Sequence, residues 1–213
     1  MGDQHEQLRD DLCRVYIELD RLGLIFLAAG NISVRVDGGM LISPAGCSAE
    51  TIRPDSFVLV QDGKPVEGQA KPSSEWSMHT SIYERCPEAN AIVHTHSDHC
   101  VAVAATRRPL PSFHYMVASF GGYDVPCTPY VTFGSPALGI AAANALVDRT
   151  ACLLGNHGMI CHGRTIDKAM ATALRLEVLC RQYIAALQAG QIQYLTPEEM
   201  QTAVERYKSY GAR

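Results

Sequence analysis

The 213-residue chain lacks long apolar runs, long runs of like charge and any Cys-x-x-Cys pair. No apolar run approaches the ~20 residues of a membrane-spanning helix, so we expect no transmembrane segment. The net charge is −4 and no basic run occurs, which argues against binding to nucleic acid or to an anionic membrane. Without a Cys-x-x-Cys pair, a zinc ribbon or a thioredoxin-like redox site is not expected.

The N-terminal residues 1–6 are polar and acidic, and they contain no apolar signal-peptide core. We therefore predict a cytoplasmic protein whose eight cysteines are reduced and mostly buried. An apolar fraction of 47% is sufficient for one sizeable core, so a single domain over residues 1–213 is expected.

The order of predicted elements indicates an α/β protein. Helices are predicted over about 5–22, 75–86, 99–105, 136–147, 165–189 and from 197 onward. Strands are predicted over about 32–36, 40–43, 57–60, 65–67, 151–154 and 159–161, and from 91 through the two histidines that follow. Hairpins followed by interspersed helices favour a largely antiparallel sheet.

Three histidines are the strongest chemical signal in the sequence. His94 and His96 follow the apolar run 91–93, and side chains two apart on a strand point to the same face. His157 lies between two further apolar runs and can supply a third imidazole. Three nitrogen ligands with an open fourth position suit a catalytic zinc, whereas isolated histidines are more often packing or surface residues. Zinc is preferred over iron because no carboxylate completes an obvious facial triad.

Polar groups in three other segments are candidates for substrate chemistry. Glu75 is near the start of a predicted helix, where the dipole stabilises a carboxylate, and near a metal it could act as a general base. Alternatively it is an ordinary helix-start glutamate. The small polar turns 30–31, 43–46 and 73–74 are compatible with an anion-binding cradle, or with plain turns and an N-cap. Tyr115 could donate a proton, although on spacing alone a half-buried tyrosine without a role is the preferred interpretation.

Five segments together resemble the class II aldolase/adducin family, over about residues 8–211. They are Ala29-Gly30-Asn31-Ile32-Ser33, Ser43-Pro44-Ala45-Gly46, Pro72-Ser73-Ser74-Glu75, His94-Thr95-His96 and Gly155-Asn156-His157-Gly158. Within the family, the segments 114–116, 121–122, 125–127, 130–134 and 208–211 are most similar to the members that cleave fuculose 1-phosphate. The resemblance implies a three-layer α/β/α sandwich and a C4 homotetramer with its active sites at subunit interfaces.

The resemblance also implies a role for each matching residue. His94, His96 and His157 would bind one Zn²⁺ per subunit, and Glu75 would be the general base and could also fill the fourth metal position at rest. Tyr115 and Tyr210 would be the other catalytic residues. The remaining implied residues form the substrate pocket: Asn31, Gly46, Ser73 and Ser74 for the phosphate, and Phe133 and Tyr207 for the aldehyde.

The implied activity is reversible cleavage of a ketose 1-phosphate into dihydroxyacetone phosphate and an aldehyde. Fuculose, ribulose, 5-deoxy and 5-methylthio pentulose 1-phosphates are all candidates. Two residues depart from the fuculose pattern, because Ala45 stands where Thr is usual and Tyr207 where Phe is typical. A pentulose-phosphate 4-epimerase, a sugar-acid-phosphate decarboxylase and a non-catalytic adducin-like module are the alternatives. Glu75 favours the aldolase over the epimerase, and three intact histidines argue against the binding module.

Overall fold

The computed structural model describes residues 5–209, with side chains as far as residue 207. The helices are α1 (Glu6–Arg21), α2 (Trp76–Arg85), α3 (Asp98–Ala104), α4 (Pro136–Ala145), α5 (Ile166–Ala189) and α6 (Pro197–Ser209), with 3₁₀ turns at Pro54–Ser56 and Tyr115–Phe120. The strands are β1 (Gly30–Val36), β2 (Gly39–Ile42), β3 (Val58–Gln61), β4 (Lys64–Pro65), β5 (Ala91–Thr95), β6 (Cys127–Thr128), β7 (Ala151–Leu154) and β8 (Gly158–Gly163).

All eight strands belong to one sheet, in the order β4-β3-β2-β1-β5-β8-β7-β6. Every neighbouring pair is antiparallel except β6 and β7. The predicted, largely antiparallel sheet is thus confirmed. Strand β5 is in the middle of the sheet, and all five of its residues are buried, because a central strand is covered on both faces.

Helices cover both faces of this sheet. On β5, Ala91 and Val93 pack into the core beneath α1, α3 and α5, whereas Ile92 packs into the core beneath α2 and α4. Alternate residues of a strand point to opposite faces, so two hydrophobic layers form around one sheet. The predicted α/β/α sandwich is confirmed. His94 has the same parity as Ile92 and therefore points toward α2.

Two predicted helix starts carry the expected caps. The Ser135 hydroxyl accepts a hydrogen bond from the amide of Leu138 at 3.3 Å, at the start of α4. At the start of α6, Thr196 and Glu199 form the predicted capping box: each accepts from the other's amide, at 2.8 and 3.3 Å. Such caps typically contribute about 1 kcal/mol each. The two-residue strand β6 and the turn Tyr115–Phe120 were not predicted, because neither is long enough to show a period.

The eight cysteines form no disulfide, and seven of them are buried. Across residues 5–209, no helix has both the length and the apolar character needed to cross a membrane.

The backbone of the β7–β8 hairpin packs directly against the backbone at the end of β5, with no side chain between them. A Cβ at Gly158 would overlap the carbonyl oxygen of Thr95, and one at Gly155 would overlap that of Thr128. Neither carbonyl can move without breaking the sheet. These glycines therefore fix the three-residue turn that contains His157 beside the end of β5.

We expect Gly158→Ala to lower the free energy of unfolding by about 1–3 kcal/mol, since the added methyl group meets rigid backbone. It should also weaken divalent-metal binding, because it displaces the neighbouring His157. Gly63→Ala is the control: its Cβ enters open space at a φ of +71°, so it should affect stability only. Chemical denaturation and metal titration measure both effects. Wild-type stability of Gly158→Ala would show that the close approach imposes no constraint.

Candidate active site

The three predicted imidazoles lie together at one end of the central strands. His94 is on β5, His96 follows its last residue, and His157 is in the β7–β8 turn. The Nε2 atoms of His94 and His96 are 3.0 Å apart, and those of His96 and His157 are 3.1 Å apart. The pairing of β5 with β8 places residues that are sixty positions apart in contact.

Glu75 approaches the imidazoles from the start of α2. Its Oε2 is 3.0 Å from His94 Nε2, and its Oε1 is 3.4 Å from His157 Nε2. The sequence predicted the helix to begin at Glu75, but the structure begins it at Trp76. Glu75 precedes the first turn, with φ −101° and ψ 14°, and its carboxylate is 5% exposed.

The protonation pattern of His94 indicates that a cation belongs at this cluster. Its Nδ1 must donate to the carbonyl of Met159, at 2.7 Å, so in the neutral ring Nε2 carries a lone pair. That lone pair faces the carboxylate oxygen of Glu75 at 3.0 Å. The two acceptors repel each other unless a proton or a metal ion lies at the cluster. Oε1 of Glu75 is also buried without a hydrogen-bond partner.

The four side chains fit a divalent metal by distance and by donor type. Their ligand atoms all lie within 4.8 Å of one another. Tetrahedral Zn–N bonds of 2.0–2.1 Å correspond to N–N separations of roughly 3.3 Å, close to those found here. His94, His96, His157 and Glu75 would hold the ion. The predicted metal ligands are therefore brought together, and the metal's identity is not determined by this geometry.

The electrostatic environment keeps three of these groups in metal-binding form; for His94, burial lowers the pKa but the Glu75 carboxylate outweighs it and raises that pKa. Burial, with repulsion from His94, lowers the pKa of His96 and of His157 to about 4. Burial alone would raise the pKa of Glu75, but the charge and hydrogen bond of His94 outweigh it and lower that pKa below its usual range. Near neutral pH, His96 and His157 are uncharged and the carboxylate is ionised.

A cleft of about 180 Å³ opens directly above this cluster. The cleft is lined by the four residues predicted to bind the phosphate, Asn31, Gly46, Ser73 and Ser74. Phe133 lines it as well. Ala45 also lines the cleft and is exposed there. The three turns that were predicted to bind an anion thus together form one continuous wall of the cleft. Pro44, from the predicted turn 43–46, lines it as well, and so do Ala28 and Ala29, for which no site role was predicted.

Asn31 contacts the candidate base directly. It lies opposite His94 in the β1–β5 register; its Nδ2 donates to Glu75 Oε2 at 3.1 Å, and its Oδ1 is 2.6 Å from His79 Nε2. The sequence analysis gave Asn31 a phosphate contact and gave His79 no role. The four-residue spacing of Glu75 and His79, which places both near one helix face, is the signal that could have linked them.

The predicted tyrosines lie elsewhere. Tyr115 starts the 3₁₀ turn, is 56% exposed and does not line the cleft of its own chain. Tyr207, on α6, is half-buried against the core beneath α1, α3 and α5. Because α6 packs against the turn of Tyr115, these two predicted residues share one region of the surface. Tyr210 is outside the described residues.

A second cluster in the described part of the chain is a weaker metal candidate. Ligand atoms of Cys86, Glu88 and His162 also lie within 4.8 Å of one another. His162 Nε2, however, donates to the carbonyl of Arg149 at 3.0 Å, and Cys86 Sγ to that of Leu146 at 3.8 Å. Both groups already have partners, so no cation is needed there.

Known proteins show that this fold is that of the class II aldolases, a class of metal-dependent lyases. Residues 10–184 match the family model described as Class II Aldolase and Adducin N-terminal domain. The chain belongs to this class II aldolase and adducin family.

Two curated relatives and one solved structure extend the likeness over nearly the whole chain. The L-fuculose phosphate aldolase of Escherichia coli O6:H1 is 40% identical over 99% of this chain and 98% of its own length. The 5-methylthioribulose-1-phosphate/5-deoxyribulose-1-phosphate aldolase of Rhodospirillum rubrum is 41% identical over 96% and 92%. A solved L-fuculose 1-phosphate aldolase superposes with a TM-score of 0.91 at 32% identity, covering 98% of each chain.

We expect His96→Gln to weaken Zn²⁺ binding severely, because only two imidazoles and the Glu75 carboxylate remain of the four ligands. His162→Gln, the same substitution in the second cluster, should leave one metal ion per chain at wild-type affinity. Isothermal titration of the metal-free protein, with metal analysis of the purified variants, tests this. If His162→Gln loses the ion and His96→Gln retains it, the metal binds at the second cluster and the present assignment is wrong.

Proposed function

We propose that this chain is a zinc-dependent aldolase that reversibly cleaves a ketose 1-phosphate into dihydroxyacetone phosphate and an aldehyde. The observation that carries the proposal is a buried carboxylate, Glu75, clustered with three imidazoles at the floor of a polar cleft and in contact with two of them. A zinc hydrolase needs no anion cradle beside its metal, whereas a sugar-phosphate lyase does.

The phosphate is proposed to bind where Gly46, Ser73 and Ser74 line the cleft. Residues 73–75 precede α2, and the partial positive charge of a helix N-terminus favours a phosphate. Gly46 has a φ of +70° with open space where a Cβ would lie, so the backbone there is accessible to a ligand. Binding energy from the remote phosphate would fix the reacting carbons over Glu75.

In the condensation direction, Glu75 takes a proton from C3 of dihydroxyacetone phosphate, and that carbon forms the new bond to the aldehyde carbon. Tyr115 gives a proton to the aldehyde oxygen, which becomes the C4 hydroxyl. Cleavage runs the same transfers backwards. The metal, when bound, supplies Lewis-acid stabilisation of the negative charge that develops on oxygen.

Tyr115 is proposed to act in the cleft of a neighbouring subunit, within a homotetramer. Its exposure and its absence from its own cleft support this arrangement. Helix α6, which packs against the turn of Tyr115 in the same chain, would bring Tyr207 and the C-terminal tail to the same cleft of the neighbouring subunit. The predicted cytoplasmic location belongs to the same proposal.

The substrate is proposed to be a ketose 1-phosphate whose aldehyde part ends in an apolar group. Relatives named for fuculose phosphate and for 5-methylthio- and 5-deoxyribulose 1-phosphate support this class. Phe133, which is 67% exposed at the cleft wall, offers an apolar surface. Ala45 lacks the hydroxyl that is usual in the fuculose pattern, so one phosphate contact would be absent.

The direct test is condensation of dihydroxyacetone phosphate with a panel of aldehydes, with and without a chelator. We expect activity that is lost on metal removal and restored by Zn²⁺. Glu75→Gln should lower turnover by about 10²–10⁴-fold, the usual contribution of a general base. Glu88→Gln, an exposed matched change, should retain wild-type turnover. Full activity without metal, or in Glu75→Gln, would rule out this mechanism.

Mixing two inactive variants tests the interfacial site. If Glu75 and Tyr115 act from different subunits, co-refolded Glu75→Gln and Tyr115→Phe chains form some intact sites. In a closed ring with random mixing, about a quarter of the sites would be intact. We expect that share of wild-type activity, measured as condensation rate per chain. No recovery on mixing would place both residues in one subunit.

A further inference from the structure

A line of buried polar side chains leads from Glu75 away from the cleft, under α2. Asn31, His79, Ser33 and Tyr83 are 4%, 0%, 0% and 7% exposed. Beyond the Asn31 contacts, His79 Nδ1 is 2.7 Å from Ser33 Oγ, which is 2.8 Å from the Tyr83 hydroxyl. Asn31 and Ser33 share one face of β1 through their period-two spacing, and that face is toward α2.

The donors in this chain can point in only one direction. A carboxylate only accepts, so Asn31 must present its NH₂ to Glu75 and its oxygen to His79. His79 Nε2 must then carry the hydrogen. Burial lowers the pKa of His79 to about 3, so its ring is neutral and Nδ1 accepts from Ser33. Ser33 in turn accepts from the Tyr83 hydroxyl.

The far end of the chain is anchored. Arg35 lies over the Tyr83 ring, with its guanidinium carbon 4.6 Å from the centroid. It also donates to the carbonyls of Tyr83 and Ala89, both at 2.8 Å. Arg35 thereby ties the C-terminal end of α2 to β1, and the polar chain between them has little freedom to rearrange.

The consequence is that the two oxygens of Glu75 are not equivalent. Oε2 has Asn31 at 3.1 Å and His94 at 3.0 Å, whereas Oε1 is buried without any hydrogen-bond partner. The Asn31 amide therefore fixes the rotation of the carboxylate, and it leaves Oε1 facing His157 Nε2 at 3.4 Å. The Asn31 amide maintains this difference between the two oxygens, because it donates to Oε2 alone. His79 in turn fixes the orientation of that amide.

We propose that His79 is a positioning residue which, through Asn31, orients the Glu75 carboxylate for its exchange of the substrate proton. This inference rests on the proposed aldolase function. His79 itself touches neither substrate nor metal ligand. If the ring were lost or its tautomer reversed, the Asn31 amide would have no partner fixing it, and Oε2 would lose its donor.

The test compares His79→Leu with His79→Gln in metal-loaded enzyme. Leu removes the donor to Asn31, while Gln keeps an NH₂ close to the former Nε2 position. We expect kcat of the Leu variant to fall about 10- to 100-fold, as for other supporting residues around a site. KM for the ketose phosphate should change by less than about threefold, because ground-state binding is untouched. The Gln variant should recover most of kcat.

Two further readouts separate positioning from general damage. Exchange of the C3 proton of dihydroxyacetone phosphate with deuterated water, without aldehyde, follows Glu75 alone, and it should slow in parallel with kcat. Nitrogen-15 NMR of the imidazoles should show His79 as the neutral Nε2–H tautomer, and Ser33→Ala should shift the Nδ1 resonance by removing its hydrogen bond, with the tautomer unchanged. Ser81→Ala is the matched control, because Ser81 donates to Ser77 on α2, outside this chain.

The outcomes are distinguishable from failure of the proposed function. If the wild type shows neither cleavage nor proton exchange, the aldolase proposal is wrong, and the role of His79 in it is wrong as well. If the wild type is active and His79→Leu retains its exchange rate, only the positioning proposal is overturned. The same holds if the Gln and Leu variants lose kcat equally, or if the NMR shows the Nδ1–H tautomer.

Discussion

The contact of the Glu75 carboxylate with two of the three clustered imidazoles, His94 and His157, is the interaction on which the site depends. A carboxylate at 5% exposure, facing the lone pair of His94, is unfavourable unless a cation lies at the cluster. Removing one partner of a buried ionic group typically costs about 3–5 kcal/mol. The metal, the carboxylate and the imidazoles are therefore energetically one unit, and each of them constrains the position of the others.

The surrounding fold serves this unit mainly through backbone constraints. The sheet places β5 at its centre, and the glycines of the β7–β8 turn allow His157 to approach the end of β5. Helix α2 then closes the α2/α4 face, contributing Glu75 from its start and His79 one turn further along. The base, His79 and Tyr83 come from α2 and its N-cap, whereas Asn31 and Ser33 come from β1, so a shift of α2 against β1 would break the chain.

Much of this arrangement could be predicted from the sequence. The period-two spacing of His94 and His96, the caps at Ser135 and Thr196, and the turns around Gly46 and Ser73 follow local rules that short segments obey. His79 was not identified, since a single histidine in a helix carries no signal of what it faces. The position of Tyr115 relative to the cleft was equally out of reach, because a residue in a short 3₁₀ turn belongs to no periodic pattern.

Taken alone, the sequence determined the layered α/β class, the metal-binding residue types and, by resemblance, the family. Local hydrogen bonding and alternation are properties of neighbouring residues, which is why a single chain reveals them. Only the tertiary structure decided which oxygen of Glu75 is held and which is free. That difference arises from contacts between β1, α2 and β5, which are brought together by packing across a sheet and not by proximity in the chain.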